Sequence, residues 1–216
     1  MRLLPTASPV ITLCLSLCLG CPAAVAQTKS AVLYPRLSKT LDSLAYADQW
    51  PMQQLFKQLP DSAGRSLFDV EKENYARHQP VLERIVRQIG YPGFRQVGEK
   101  SSSNFWLLVQ HADAHPDFQR QVLRLMRPEV ARKNASPSNY AYLTDRVAIN
   151  SGQPEEYGTQ VKYEGAGLGH AVPQSLRDPQ NVDKRRAAIG MEPLENYLGM
   201  MTSMHVQMNT PKAPAQ

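Results

Sequence analysis

The sequence predicts a mainly α fold, a compact multi-helix domain with one small β-hairpin. Apolar residues recur every three or four positions through most of the chain after residue 30, which is the spacing of a buried helix face. Prolines and glycines fall where these patterns start and stop. Near residues 157–172 apolar and polar residues alternate instead, which indicates a hairpin.

Residues 1–26 have the pattern of a secretory signal peptide. Arg2 supplies the positive end, Val10–Leu19 the apolar part and Ala24–Ala26 the small residues of a cleavage site. The apolar part is too short to cross a bilayer, which takes about 20 apolar residues. We therefore expect an exported protein, periplasmic or extracellular.

The three cysteines, Cys14, Cys18 and Cys21, all lie in this segment. The exported domain is thus predicted to contain no disulfide, no thiol nucleophile and no cysteine metal ligand. Leu19-Gly20-Cys21 also resembles the acylation site of a lipoprotein, but Cys18 stands where a leucine is usual. Lipid anchoring at Cys21 is therefore the less favoured alternative.

The charge balance is mildly basic. The formal charge of +5 becomes +4 without residues 1–26, because Arg2 is the one charged residue they contain. This favours solubility, with a weak preference for anionic partners such as lipid headgroups. An arginine stripe at Arg120, Arg124 and Arg127 is interpreted as a solvated face, with weak membrane-surface contact as the alternative. No nucleic-acid partner and no transmembrane span are expected.

Residues 27–84 are predicted to form an N-terminal helical region. A first helix is expected to end at Trp50-Pro51, and its apolar face consists of Leu37, Leu41 and Leu44. A second helical pattern runs from Asp61 to Gln79, where Pro80 is expected to break it and to start a third helix. Gly90 is the stop signal of that third helix.

The central segment contains the helix expected to be most deeply buried, Ser101–Ala112. Within it Phe105–Val109 covers every direction around the helix axis. Pro116 is expected to start the next helix, and Ser136-Pro137 a further one that runs to about Ile149.

The hairpin is predicted from the alternating residues Tyr157–Tyr163, a glycine-rich turn at Gly165–Gly169 and a return strand at His170–Val172. Two last helices are expected to begin near Pro179 and Pro193.

The segment from His111 to His115 places two histidines four residues apart, as in a zinc-binding helix. Pro116 disfavours helical geometry at His115, and Ala112 stands where a metalloprotease needs a glutamate. Gly93–Ser101 departs from a phosphate-binding loop because Glu99 interrupts the Gly-Lys-Ser order. No metal and no cofactor are predicted.

The leading hypothesis for function is an exported helical domain that binds an envelope protein or a small ligand. Its cleft would lie between the buried helix, the helix that carries Asp145 and the hairpin. The candidate ligand-binding residues are Gln110, Arg146, Tyr157, Gln160, Arg185 and Arg186. A purely structural network of Asp145 with Arg146, and a solvated helix start at Arg185 and Arg186, are the alternatives.

The rival hypothesis is a hydrolase of the cell envelope. His111 would act as general base, with Asp113 or Asp145 to orient it. Tyr157 or Arg146 would stabilise the charge that develops. Contact between His111 and a carboxylate, with both facing an open pocket, would favour this hypothesis, whereas polar groups that satisfy one another in a closed core would count against it.

Five blocks of sequence together resemble an uncharacterised bacterial family, a domain of unknown function often found behind signal peptides. The blocks are VGEKS (97–101), FWLLVQHAD (105–113), AYLTDRV (141–147), YGTQ (157–160) and DPQNVDKRR (178–186). The resemblance covers about residues 85–197 and implies no agreed reaction, cofactor or catalytic residue. Ser102 and Ser103 stand where the family tends to have alanine.

This resemblance divides the chain after the signal peptide into three parts. Residues 85–203 are expected to form the family-like helical domain, with residues 27–84 as a region outside the resemblance. Residues 204–216 are expected to be a disordered tail.

Overall fold

Residues 31–210 are described in a computed structural model. This part of the chain contains eight α-helices and one two-stranded antiparallel hairpin, which confirms the mainly α fold class. The helices are α1 (Pro35–Lys57), α2 (Leu67–Ile89), α3 (Phe94–Val97), α4 (Glu99–Gln110), α5 (Pro116–Ala131), α6 (Pro137–Asn150), α7 (Val182–Ala188) and α8 (Leu194–Asn209). The strands are β1 (Val161–Glu164) and β2 (His170–Pro173). The predicted signal peptide, its cysteines and the end of the predicted tail lie outside the described residues.

Helix α4 is central to the main hydrophobic core, as its sequence predicts. Phe105 and Val109 are completely buried, and they share a core with side chains from α1, α2, α5 and α6. The fully buried members of this core from the other helices include Leu41, Val122, Met126 and Leu143. Among the helices of residues 31–210, none is both long and apolar enough to cross a membrane.

Two helix ends predicted from prolines are wrong. Pro51 lies inside α1 and Pro80 inside α2. A proline removes one backbone hydrogen bond from a helix, but a well-packed apolar face offsets that loss. Pro51 itself belongs to the buried face of α1. The helix ends at Lys57, because Gln58 adopts a left-handed conformation.

Helix α6 starts as predicted at Ser136-Pro137. The Oγ atom of Ser136 accepts a hydrogen bond from the backbone N–H of Asn139 at 3.2 Å. We expect Ser136→Ala to lower the free energy of unfolding by about 1 kcal/mol, because that N–H loses its partner. Urea unfolding checks this, with Ser43→Ala on the exposed surface of α1 as a control that should change little; equal effects would contradict the capping role.

The hairpin lies with α7 and α8 around a second, smaller apolar cluster that includes Val182, Leu194 and Tyr197. Strand β1 begins at Val161 instead of Tyr157, because the preceding residues bend around two buried carboxylates described below. The backbone N–H of Ala171 in β2 donates to Thr202 Oγ1 of α8 at 2.8 Å. Helix α8 continues to Asn209, so residues 204–209 are helical where the sequence predicted the start of a tail.

Candidate functional site

His111, at the C-terminal end of α4, lies against a buried carboxylate from α1. Its Nδ1 atom is 2.7 Å from Oδ2 of Asp48. The Asp48 side chain is fully buried, whereas the His111 side chain keeps 22% of its surface exposed. The pair therefore joins a shielded acid to an imidazole that solvent reaches.

A second histidine flanks the same carboxylate from α2. Nδ1 of His78 lies 3.7 Å from Oδ1 of Asp48, and Gln49 Nε2 donates to Oδ2 at 2.8 Å. Burial alone would raise the pKa of Asp48, but the contacts with His111 and His78 outweigh it and lower the pKa to about 2. Asp48 is thus an anion at every pH at which the protein is expected to work.

An aromatic ring borders the pair on one side. The ring centroids of Tyr75 and His111 are 5.1 Å apart, and the rings are tilted by 43°. The Tyr75 hydroxyl donates to Glu71 Oε1 at 2.8 Å, and burial foremost raises the pKa of Tyr75. The uncharged Tyr75 ring therefore packs beside the imidazole of His111.

Asp113 does not orient His111, since other groups engage its carboxylate. Arg146 holds it through two hydrogen bonds, with Nε 2.8 Å from Oδ1 and Nη2 on Oδ2. Asn150 and Gln119 also donate to Oδ1, at 2.9 and 3.0 Å. Burial raises the pKa of Asp113, but these donors prevail and lower it.

Asp145 is fully buried and organises the segment before the hairpin. Its carboxylate accepts hydrogen bonds from the backbone N–H groups of Glu156 (2.8 Å), Tyr157 (3.0 Å) and Thr159 (2.9 Å). Burial raises the pKa of Asp145 against these donors. The structural alternative drawn from the sequence thus describes Asp145 well, although its partners are amides rather than Arg146.

Glu155 is the second buried carboxylate of this segment. Oε2 accepts from the backbone N–H of Gln160 at 2.6 Å, and Oε1 accepts from that of Gln174 at 2.9 Å. Burial, together with the negative charge of Asp145, raises the pKa of Glu155 to about 7. The two carboxylates together fix the backbone from residue 155 to residue 160.

The other candidate ligand-binding residues are mostly committed to the protein itself. With its side-chain amide turned so that the oxygen faces donors, Gln110 accepts from the Leu143 backbone and from the Trp106 indole, at 2.9 and 3.1 Å. Arg185 donates to the carbonyl oxygens of Glu156 and Arg177 and pairs with the Glu156 carboxylate. Tyr157 and Gln160 donate backbone N–H groups to Asp145 and Glu155. Arg186 is completely buried and lines a cavity.

Sequence reasoning missed Asp48 and His78, although a signal was present. Asp48 occupies the same face of α1 as Leu41 and Ala45, and His78 the same face of α2 as Leu82. A charged or titratable residue on an apolar stripe is costly unless it is paired. The presence of Asp48 and His78 on apolar faces could therefore have been interpreted as a contact between α1 and α2.

The titratable side chains of the described part of the chain form no group of three or more with the arrangement of a metal site. What the His111–Asp48 pair can do chemically is accept a proton from solvent or substrate at Nε2. The carboxylate fixes the imidazole through Nδ1 and stabilises the cation that results.

Comparison with known proteins identifies the family without a reaction. The model of DUF6624, a family of unknown function, matches residues 35–207. This match begins at the first residue of α1, so residues 35–84 belong to the family domain, although the sequence resemblance placed them outside it. No curated protein and no solved structure shows significant similarity to the chain. The protein therefore belongs to DUF6624, a family of unknown function.

Proposed function

We propose that the protein is an exported hydrolase of the cell envelope in which His111 is the general base and Asp48 orients it. Export is inferred from the signal-peptide pattern of residues 1–26. The observation that carries the proposal is the 2.7 Å contact between a fully buried carboxylate and a partly exposed histidine. This version keeps His111 from the sequence hypothesis and replaces Asp113 or Asp145 with Asp48.

The chemistry follows from the tautomer that Asp48 selects. An anionic carboxylate accepts a hydrogen bond, so Nδ1 of His111 carries the proton and Nε2 carries the lone pair. Nε2 takes a proton from water as the water oxygen bonds to the carbonyl carbon of an ester. The tetrahedral intermediate then expels the alcohol oxygen, which takes that proton back from Nε2. The products are a carboxylic acid and an alcohol.

Asp48 contributes to this step by electrostatics and position. The imidazolium that forms is opposed by a carboxylate shielded from water, where the attraction is stronger than at the surface. Arg146 supplies positive charge near the same end of α4, and its side chain is 29% exposed. We assign Arg146 the stabilisation of developing negative charge, with Asp113 holding it in place.

The activity test uses the purified protein and two activated esters, p-nitrophenyl acetate and p-nitrophenyl butyrate. We expect His111→Gln to lower the rate of hydrolysis by about 100-fold or more, which is the usual contribution of a general base. His115→Gln is the matched control, since His115 is exposed and lies outside the pair. Equal rates in the two variants, or no hydrolysis by the unmodified protein, would contradict the proposal.

A second test combines the tautomer of His111, measured without substrate, with the kinetics of an Asp48 variant. We expect ¹⁵N NMR of the histidine side chains to show His111 with its proton on Nδ1, because Asp48 Oδ2 is the acceptor. Asp48→Asn should weaken this preference and reduce kcat more than it changes KM, since Asp48 acts through His111. Finding the proton of neutral His111 on Nε2 in the unmodified protein would rule out the arrangement.

A further inference from the structure

A second site is indicated by Arg186, which is one of the largest completely buried side chains of the protein. Its Nε atom donates to the carbonyl oxygen of Glu192 at 2.7 Å, and Nη1 donates to that of Tyr157 at 2.8 Å. Its Cζ atom lies 5.2 Å from the centroid of the Tyr197 ring. Carbonyl dipoles and an aromatic ring thus surround the guanidinium group.

No carboxylate of the described residues pairs with the Arg186 guanidinium group. None of the ion pairs found within residues 31–210 includes Arg186, although its neighbour Arg185 pairs with Glu156 and Asp178. Nη2 of Arg186 is buried and has no hydrogen-bond partner in that part of the chain. A buried charge with an unused donor is costly, and an anionic ligand would remove both penalties.

Arg186 lines a cavity of about 230 Å³ together with Ser138, Tyr142, Met191, Glu192 and Tyr197. Two aromatic rings form one wall, since the centroids of Tyr142 and Tyr197 are 6.1 Å apart in an edge-to-face arrangement. The Tyr197 hydroxyl donates a hydrogen bond to the carbonyl oxygen of Thr159 at 2.9 Å. Burial, and then the neighbouring Tyr142, raises the pKa of Tyr197, so no phenolate competes for the guanidinium.

The lining selects among anions. Within the described residues Nη2 is the one guanidinium nitrogen of Arg186 without an acceptor, and most of the wall beside it consists of aromatic rings and the Met191 thioether. Phosphate carries more charge than this donor set satisfies, and the exposed Glu192 carboxylate would repel a dianion. A carboxylate bears one charge and can carry an apolar group against the rings. The volume equals roughly eight waters at about 30 Å³ each, which suits a molecule from butyrate to benzoate.

We propose that this cavity binds a small organic monocarboxylate, whose carboxylate accepts a hydrogen bond from Arg186 and whose apolar part packs against Tyr142 and Tyr197. The site is built from α6, α7 and the start of α8, and it does not depend on the role of His111. Arg186 was among the ligand-binding residues predicted from the sequence, but this cavity differs from the predicted cleft between the buried helix, the Asp145 helix and the hairpin.

The test measures melting temperature and affinity for benzoate and butyrate, each with its neutral amide, at matched ionic strength. We expect both carboxylates to raise the melting temperature of the purified protein by at least about 2 °C at saturation. Benzamide and butyramide should have no such effect, because they lack the charge that Arg186 requires. Inorganic phosphate is included as the competing anion.

Two variants link the effect to the cavity. Met191→Trp fills the cavity and leaves Arg186 in place, so we expect the Kd for benzoate to rise at least tenfold. Arg185→Lys is the control, since Arg185 is outside the cavity lining and should leave the Kd unchanged. The proposal would be overturned by no carboxylate response, by an equal response to the amides, by a stronger response to phosphate, or by an unchanged Kd in Met191→Trp.

Discussion

Replacing Asp145 with alanine is expected to lower the free energy of unfolding by about 3–5 kcal/mol. The carboxylate accepts hydrogen bonds from the backbone N–H groups of Glu156, Tyr157 and Thr159. Each buried N–H that loses its acceptor costs about 1–3 kcal/mol. The sum is large because alanine offers no acceptor and because water has little access to the site.

This result can be measured at two levels. Urea unfolding gives the overall loss of stability, and hydrogen exchange of the amides of Glu156, Tyr157 and Thr159 shows whether the loss arises where Asp145 accepts hydrogen bonds. Asp117→Ala is the matched control, since the Asp117 side chain is 96% exposed and should contribute within about 0.5 kcal/mol. Slow exchange at Glu156, Tyr157 and Thr159 in Asp145→Ala would contradict the assigned role.

Asp145 also influences both proposed sites indirectly. It fixes Tyr157, and the carbonyl oxygen of Tyr157 accepts a hydrogen bond from Arg186. In α6 it is followed directly by Arg146, which pairs with Asp113 near His111. We infer that the position of this one buried carboxylate determines how the hairpin segment and α6 meet.

The fold was predictable from sequence where one local signal acts alone. The all-round apolar run Phe105–Val109 gave the buried helix, and Ser136-Pro137 gave the start of α6. Prediction failed where tertiary packing outweighs a local signal. Pro51 and Pro80 are helix breakers in isolation, yet each lies within a helix: Pro51 is itself part of the buried face of α1, and the face of α2 is buried on both sides of Pro80.

The candidate site was predictable in part. His111 was identified from its place at the end of the buried helix, and Arg186 from the charge cluster at the start of α7. Their partners were not, because Asp48 lies 63 residues from His111 in sequence and Tyr157 lies 29 residues from Arg186. Contacts at such separations depend on how helices cross, which residue spacing along one helix does not specify.

The buried aspartates Asp48 and Asp145 differ in what shields their charge. Asp145 faces backbone amides, and burial still raises its pKa, whereas the imidazoles beside Asp48 lower its pKa to about 2. A donor that can itself become a cation compensates a buried carboxylate more fully than a neutral amide does. Asp48 is therefore better suited than Asp145 to support a histidine that accepts a proton.

Replacing Asp48 with asparagine is expected to lower the free energy of unfolding by about 2 kcal/mol near pH 5. The carboxyl pKa is about 2 in the folded protein, against 3.8 for an unperturbed aspartate. A lowered pKa stabilises the folded state above the unperturbed value, and this contribution disappears as the pH falls through the folded value. The difference between Asp48→Asn and the unmodified protein should therefore be fully present near pH 5, shrink between about pH 4 and pH 2, and vanish below.

Urea unfolding of both proteins across this pH range measures the difference directly, and the other carboxylates cancel because both proteins contain them. Asp42→Asn provides the comparison, since the pKa of Asp42 is also lowered but 33% of its side chain is exposed beside Lys100. Solvent screens that pair, so its pH-dependent difference should be smaller. A difference for Asp48→Asn that stays constant down to pH 2 would mean that the side chain contributes through shape alone, and the histidines would then have no anion to orient them.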